Sequence, residues 1–184
     1  MLLIEIFKKI KYNNKADRIG PDMPFTHWRL HYKKKMLALC KSKFKKFAND
    51  AEFRAGAYAI GCSQIEIGKR VVIRPQSMLF AVTENKDTTS IIIEDDVMLG
   101  SGVHIYVSNH RFDNTAIPFI DQGHYPSQHV KIERGSWLGA NVIVLPGVTI
   151  GSNSVIGAGS VVTNSIPSNS LAVGCPARVI KNIQ

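Results

Sequence analysis

Six consecutive hexamers decide the fold: Ile132-Glu-Arg-Gly-Ser-Trp, Leu138-Gly-Ala-Asn-Val-Ile, Val144-Leu-Pro-Gly-Val-Thr, Ile150-Gly-Ser-Asn-Ser-Val, Ile156-Gly-Ala-Gly-Ser-Val and Val162-Thr-Asn-Ser-Ile-Pro. Each begins with an aliphatic residue, and each has a small or β-branched residue at its fifth position. Glycine fills the second position of three hexamers, where we expect the turn to need unusual backbone angles. A period of six is neither helical nor a plain strand alternation, and it is typical of a parallel β-helix.

Three hexamers close one triangular coil, so residues 18 positions apart should stack on the same face. We therefore expect Ile132 on Ile150, Leu138 on Ile156, and Val144 on Val162. Coils about 4.8 Å apart would bury these aliphatic residues against one another, and roughly five coils are expected. Earlier hexamers continue the pattern, in register at Ile67, Ile73, Ile93, Leu99 and Ile105, and more loosely at Phe47, Phe53, Ala59 and Ile65.

Two interruptions of the repeat are predicted to be loops, at residues 80–90 and at residues 109–131. The second carries three histidines (His110, His124 and His129) and several aromatic residues. Long loops that project from a rigid scaffold are frequent places for binding and catalysis.

The charge distribution divides the chain of 184 residues into two parts. Residues 1–50 contain 13 Lys/Arg and 4 Asp/Glu, whereas residues 51–184 contain 10 of each. We therefore predict a basic, helical N-terminal segment at 1–50 and a β-helix domain at 51–184.

Several classes of protein are set aside by the sequence. No apolar run approaches the roughly 20 residues that span a bilayer, and the first residues do not follow the order of a signal peptide. The three cysteines are an odd number without a CxxC pair, which indicates neither a disulfide framework nor a structural zinc site. A cytoplasmic location is the expectation, with the inner face of the membrane as the alternative.

The N-terminal segment has a helical hydrophobic pattern. Leu3, Ile6, Phe7 and Ile10 recur at helical spacing, residues 13–25 resemble a loop, and apolar residues recur every three or four positions from Trp28 to Phe47. We predict an amphipathic helix over about residues 26–47, capped by Thr26 and stopped at Asn49-Asp50.

Lysines surround the apolar stripe of this predicted helix, and three interpretations stay open. In the first, the lysines form a solvated face while the stripe packs on the protein or on a neighbouring subunit. In the second, the helix contacts a membrane surface or an anionic polymer. Nucleic acid is the third interpretation and is not expected as a partner, because the sequence contains no recognised nucleic-acid module.

The stretches 137–151, 156–163 and 172–181 resemble the hexapeptide-repeat acyltransferases. They are similar to the galactoside and maltose O-acetyltransferases and to the O-acetyltransferases of bacterial surface polysaccharides. The resemblance covers about residues 47–184 and implies a left-handed β-helix that uses acetyl-CoA as co-substrate and no metal. It also implies a homotrimer whose sites lie at subunit interfaces.

His110 is the predicted catalytic base. Transfer of acetyl from a thioester to a hydroxyl needs a base near neutral pH, and imidazole suits that proton transfer. In the resembling family a histidine has this role in an Asn/Gly-His motif, which Ser108-Asn109-His110 matches. His124 and His129 match no motif position, although either could contact substrate.

The resemblance also implies binding residues. Trp137 is predicted to border the acceptor sugar together with Asn109, and Asp87 and Asn85 in the first loop are further candidates. Co-substrate contacts are expected from the residues Ala140, Ala158, Thr163, Asn164, Arg178 and Lys181. Arg178 and Lys181 would meet phosphates, and the small residues would leave room for the pantetheine arm.

Metal sites are not expected. The three loop histidines are irregularly spaced, and the acidic run Glu94-Asp95-Asp96 supplies too few oxygens for calcium and is predicted to be a solvated turn.

We therefore expect a sugar O-acetyltransferase acting by direct transfer, with a surface polysaccharide or its precursor as acceptor. The alternatives are an N-acetyltransferase of a nucleotide-linked amino sugar or of an antibiotic, and a non-catalytic β-helix scaffold.

Overall fold

Short strands recur three to a coil and form the faces of a parallel β-helix. The computed structural model describes residues 2–82 and 89–183. The described strands, in chain order, are β1 (Arg18–Ile19), β2 (Lys46–Phe47), β3 (Glu52–Phe53), β4 (Tyr58–Ile60), β5 (Ile65–Ile67), β6 (Val72–Ile73), β7 (Met78–Phe80), β8 (Ile91–Ile93), β9 (Met98–Leu99), β10 (His104–Tyr106), β11 (Val130–Ile132), β12 (Trp137–Leu138), β13 (Ile143–Val144), β14 (Thr149–Ile150), β15 (Val155–Ile156), β16 (Val161–Val162), β17 (Ser170–Gly174) and β18 (Ala177–Asn182).

The strands form three sheets, one for each face of the prism. Sheet A has the order β1-β4-β7-β10-β13-β16, sheet B the order β2-β5-β8-β11-β14, and sheet C the order β3-β6-β9-β12-β15-β17-β18. Neighbouring strands are parallel except at the two ends, where β1 runs antiparallel to β4 and β18 antiparallel to β17. These sheets confirm the expected mainly β architecture of about five coils.

The predicted stacking is confirmed in the last coils. Ile132 pairs with Ile150, Leu138 with Ile156, and Val144 with Val162. In the first coils Phe47 stacks on Ile67, Phe53 on Ile73 and Ala59 on Leu79. Ile65 does not begin a hexamer as expected. The turn at Cys62–Gln64 shifts the register, so Ile67 takes the first position instead.

The core is the column of aliphatic side chains inside the prism. The first residues of the hexamers are fully buried, and so are the small fifth residues such as Ser136 and Ser154. The serine hydroxyls donate to backbone carbonyls at the corners, Ser136 to Gly151 (2.9 Å) and Ser154 to Pro167 (2.8 Å). The buried polar atoms are therefore satisfied without interrupting the apolar column.

The explanation given above for the second-position glycines is wrong. Positive φ occurs at the fourth position of the hexamer, for example at Asn141 (58°) and Gly147 (79°), and not at Gly139. A Cβ on Gly139 would lie 2.6 Å from the backbone nitrogen of Ala158. Glycine is needed there because adjacent coils approach closely, whereas asparagine or glycine supplies the left-handed angle two residues later.

The N-terminal segment caps the first coil with short helices. These are α1 (Leu2–Lys15), α2 (Pro24–His27) and α3 (Lys33–Lys43), with a 3-10 turn at Trp28–His31. Two further 3-10 turns lie outside this segment, Cys62–Gln64 between β4 and β5 and Phe119–Asp121 between β10 and β11. The helix expected near residues 3–10 is confirmed. The loop expected at 13–25 is only partly correct, because it contains β1, which extends sheet A.

The single helix predicted over residues 26–47 is wrong. Tyr32 is extended (φ −125°, ψ 116°) and separates the 3-10 turn from α3. Burial of Leu30 before the break and of Met36 after it overrides the helical periodicity, because both pack into the cluster at the end of the coils. Thr26 is not a cap, since it lies inside α2 and donates to the Met23 carbonyl (3.2 Å).

The division into a helical segment at 1–50 and a β-helix domain at 51–184 stays a prediction. Buried residues of both parts form one cluster, which contains Met36 and Phe44 as well as the coil residues. Among the described residues, none of the helices is both long and apolar enough to cross a membrane.

Candidate active site

A loop leaves sheet A after β10 and returns to sheet B at β11. It was expected to end at residue 131, but Val130 and Lys131 already belong to β11, where they pair with β8. The two arms of the loop are held together by backbone hydrogen bonds from Arg111 to Gly123 (2.9 Å) and from Tyr125 to Asn109 (2.9 Å). The loop is therefore an ordered hairpin on the side of the prism.

His110 and His124 face each other across this hairpin. They form an isolated antiparallel bridge, and their ring centroids lie 4.0 Å apart with an interplanar angle of 36°. Both residues are exposed to solvent. The loop backbone therefore brings two imidazoles together at the outer surface of the β-helix.

The paired histidines lie in a cleft of about 450 Å³. The cleft is lined by Phe80, Val82, Tyr106, Ser108, Asn109, His110 and His124. The rings of Phe80 and Tyr106, from neighbouring strands of sheet A, are stacked with centroids 4.9 Å apart. An aromatic wall beside polar groups is suited to a ligand with one apolar face and several hydroxyls, such as a sugar ring.

A second cleft, of about 260 Å³, adjoins the first. Ser108 and Asn109 line both clefts, and Tyr125 and Thr163 line the second. The structure therefore connects Thr163, predicted to contact the co-substrate, with Asn109 of the His110 cleft. Asn164 follows Thr163 on the exposed corner after β16.

Contacts behind His124 fix the returning arm of the loop. The Asp113 carboxylate accepts hydrogen bonds from Arg111 Nη2 (2.7 Å) and from the Tyr125 hydroxyl (3.1 Å). The hydrogen bonds from Arg111 lower the pKa of Asp113 to about 2, so the carboxylate stays charged at neutral pH. The Arg111 guanidinium also lies 5.5 Å from the centre of the Tyr125 ring.

Ala140 and Ala158 lie on one corner of the prism, in adjacent coils. Gly159 donates its backbone N–H to the Ala140 carbonyl (2.8 Å), and both alanines are exposed. Their small side chains leave the corner open, so an extended ligand can lie against the backbone.

Arg178 and Lys181 extend from the same end of the β-helix. They lie on β18 and pair with Val173 and Leu171 of β17, and both are exposed. β17 in turn stacks on β15, next to the Ala158 corner. Neither basic residue lines the two clefts near His110.

Trp137 lies on sheet C, away from the His110 clefts. It belongs to β12, pairs with Met98 and Val155, and is 49% exposed. It lines neither cleft within the described chain. Asp87 and Asn85 lie outside the described residues.

The acidic run at 94–96 is ion-paired, and two of the three cysteines, Cys40 and Cys62, are buried, whereas Cys175 is exposed. Glu94 is ion-paired with Lys131 (2.9 Å) and Asp95 with Arg134 (3.1 Å), which fits the predicted solvated turn. In the described ranges no group of three or more metal-ligating side chains occurs. Burial raises the pKa of Cys62 to about 12, and it also raises the pKa of Cys40. Neither thiol is therefore suited to be a nucleophile at neutral pH.

Comparison with known proteins places this β-helix in a family. The family model described as bacterial transferase hexapeptide (six repeats) matches residues 129–164. The galactoside O-acetyltransferase of Escherichia coli (strain K12) is 34% identical over 159 residues, which are 86% of this chain and 74% of that protein. The chain belongs to the hexapeptide-repeat acetyltransferases.

Solved structures agree with this membership. A galactoside acetyltransferase in complex with coenzyme A superposes with a TM-score of 0.70 at 29% identity, covering 98% of this chain and 80% of that chain. A maltose O-acetyltransferase from Clostridium difficile 630 has a TM-score of 0.68 at 30% identity, covering 96% of this chain and 83% of that one. The hexapeptide-repeat acetyltransferase fold is the left-handed β-helix, as the sequence resemblance implied.

Some curated relatives match this chain over a smaller part of its length. A galactoside O-acetyltransferase of Lactococcus lactis subsp. lactis (strain IL1403) is 45% identical over 97 residues, 53% of this chain. The match spans about half of that relative's length (45%), so its activity is carried over only as a proposal.

In this hexapeptide-repeat acetyltransferase, the sequence motifs do not mark His124 as a neighbour of His110. The residue matches no motif position, and only the antiparallel pairing of the loop arms brings it to His110. Gly123, at φ 73°, precedes His124 and is a local signal of a turn in the returning arm.

Proposed function

We propose that this protein is an acetyl-CoA-dependent O-acetyltransferase that acts on a sugar hydroxyl. The observation that carries the proposal is the position of His110, in a cleft walled by aromatic rings on the side of a hexapeptide β-helix. The similarity to galactoside and maltose O-acetyltransferases supports a sugar as the acceptor.

In the proposed mechanism His110 acts as the general base. Its imidazole takes the proton of the acceptor hydroxyl as the oxygen attacks the thioester carbonyl. The new C–O bond forms, the C–S bond breaks, and the proton passes to the departing CoA sulfur. Backbone N–H groups stabilise the negative charge that develops on the carbonyl oxygen.

Acetyl-CoA is proposed to lie along the corner that carries the small residues. Ala140 and Ala158 would face the pantetheine arm, and Thr163 and Asn164 the part near the thioester. The second cleft supports this route, because Thr163 and Asn109 line it together. Arg178 and Lys181 would bind phosphates at the other end, where arginine pairs with phosphate oxygens in a bidentate manner.

The active unit is proposed to be a homotrimer in which adjacent subunits complete each site. His110 is exposed, and Trp137 lies on a different face of the same chain. The loop also exposes Phe119 (59%) and Ile120 (83%), apolar side chains that a subunit interface would cover. Closed threefold symmetry would make the three interfaces equivalent.

A surface polysaccharide or its lipid-linked precursor is the proposed acceptor class, and a cytoplasmic location goes with it. The purified protein is incubated with acetyl-CoA and a panel of glycans, and products are analysed by mass spectrometry before and after mild alkali. An alkali-labile acetyl ester supports the proposal. An alkali-stable acetamide would instead identify an N-acetyltransferase, and no acetylated product from any glycan would contradict a sugar acceptor.

A further inference from the structure

The N-terminal half of α1 exposes an unusual amount of apolar surface. Leu2, Leu3, Ile4 and Phe7 are 70%, 70%, 62% and 69% exposed, respectively. The helix packs on the protein through its other side, where Asn13 is buried and accepts a hydrogen bond from the Phe25 backbone. Single exposed apolar residues are ordinary, but four within six positions indicate a binding surface.

Positive charge follows this apolar stretch on the same helix. Lys8, Lys9, Lys11 and Lys15 form no ion pair within residues 2–82 and 89–183, and Glu5 is the one acidic residue of α1. Exposed apolar side chains beside unpaired lysines are typical of helices that lie in the plane of an anionic membrane surface.

Charge complementarity argues against a second copy of the chain as the partner of α1. Of the twelve carboxylates in the described ranges, eight are ion-paired within the chain. Asp17 is also engaged, because it accepts hydrogen bonds from Ser63. Another copy therefore offers little free negative charge, whereas an anionic membrane offers a continuous negative surface.

The position of α1 relates this surface to the active site. Asn14 and Lys15, at the end of the helix, border a cleft of about 520 Å³ that is also lined by Val82. Val82 in turn lines the cleft of His110. The C-terminal end of α1 therefore lies beside a cleft that shares Val82 with the cleft in which we propose that the acceptor binds.

We propose that α1 docks this protein on anionic phospholipid membranes through Leu3, Ile4, Phe7 and the neighbouring lysines. This inference goes beyond the proposed function and does not depend on it, because docking needs neither acetyl-CoA nor an acceptor. The further idea, that docking brings the protein to a lipid-linked acceptor, does rest on the proposed function.

The test is sedimentation of the full chain with vesicles, without substrates. Vesicles contain phosphatidylcholine with about one third phosphatidylglycerol, or phosphatidylcholine alone, at low and at physiological salt. We expect binding to the anionic vesicles at least tenfold tighter than to the neutral ones, and weaker at higher salt. Wild-type protein that does not sediment with anionic vesicles would overturn the proposal.

Variants identify the surface. Phe7→Asp should weaken binding at least tenfold and Lys8→Gln about fivefold, whereas Ile180→Asp, an exposed apolar position on β18, should leave it unchanged. The molecular mass of each variant is measured in parallel. If Ile180→Asp weakened vesicle binding as much as Phe7→Asp does, docking through α1 would be contradicted. Loss of the native oligomer in Phe7→Asp would also contradict it, because that result would assign the apolar surface of α1 to a second copy of the chain.

Discussion

The imidazole rings of His110 and His124 lie 4.0 Å apart, held by an antiparallel bridge between the two arms of one loop. This contact gives the predicted base a neighbour that limits its side-chain rotation. Behind it, Tyr125 and Asp113 hold the returning arm through a hydrogen bond of 3.1 Å.

Replacement of His124 should therefore impair positioning of His110. We predict that His124→Ala lowers kcat by roughly ten- to a hundredfold, because a small misplacement of a catalytic group is costly, while KM for acetyl-CoA changes little. His124→Phe should restore most of the rate, since a phenyl ring preserves the packing. Steady-state kinetics of both variants make the comparison, and a His124→Ala rate equal to wild type would contradict the positioning role.

Replacement of Arg178 should affect co-substrate binding rather than chemistry. We predict that Arg178→Ala raises KM for acetyl-CoA and leaves kcat nearly unchanged, because a phosphate contact is equal in the ground and transition states. Arg70→Ala, at an exposed ion-paired arginine on another part of the coils, is the matched control. An unchanged KM in Arg178→Ala would show that β18 does not contact the co-substrate.

Oligomeric state should depend on the loop. We predict that the wild-type protein sediments as a trimer, and that Ile120→Asp dissociates it and removes activity, because a charge would be buried at the interface. Phe7→Asp on α1 is the control for an exposed apolar position and should leave the mass unchanged. A fully active wild-type monomer would contradict both the trimer and the shared site.

Stability should depend on pH through Lys131. The hydrogen bond from Lys131 lowers the pKa of Glu94, and the hydrogen bonds to Glu94 and Glu133 raise the pKa of Lys131. The contribution of Glu94 to stability is thus fully present above its ordinary pKa, and it is lost as pH falls through the lowered pKa. The contribution of Lys131 to stability is fully present below its ordinary pKa, and it is lost as pH rises through the raised pKa.

Lys131→Met should therefore lower the free energy of unfolding near neutral pH by about 0.5–1 kcal/mol, the range of partly exposed pairs. The difference from wild type should vanish in strong acid, where Glu94 is protonated. Urea unfolding of both proteins near neutral pH and in strong acid measures this difference. Lys46→Met on β2 is the control, because Lys46 forms no ion pair among the described residues. An equal difference at both pH values would contradict the ionic origin.

Much of the fold was predictable because its period is strict. The aliphatic residues at Ile132, Leu138 and Val144 have one arrangement in which all are buried, and that arrangement fixes the coil register. The N-terminal helices were less predictable. The break at Tyr32 arises from burial of Leu30 and Met36 against the coils, a tertiary requirement that helical periodicity does not reveal.

The candidate site was predictable only where a motif or a turn marks it. His110 follows Ser108-Asn109 at the point where the loop leaves the coil, so its importance could be inferred from the sequence. The pairing with His124 depends on how the thirteen loop residues between it and His110 fold back, and no repeat constrains that path. Trp137 illustrates a further limit, because it lies on sheet C of the same chain, and the relation to His110 that we propose would be made across a subunit interface.

The role of His110 as general base is tested by the rate of CoA release by His110→Ala, at saturating acetyl-CoA and with an acceptor that the wild-type protein acetylates. His31→Ala, an exposed histidine of the N-terminal segment, is the control. We expect His110→Ala to keep its fold and oligomeric mass while kcat falls by roughly 10²–10⁴, the usual contribution of a general base. A folded His110→Ala protein that turns over within a few-fold of wild type would contradict that role.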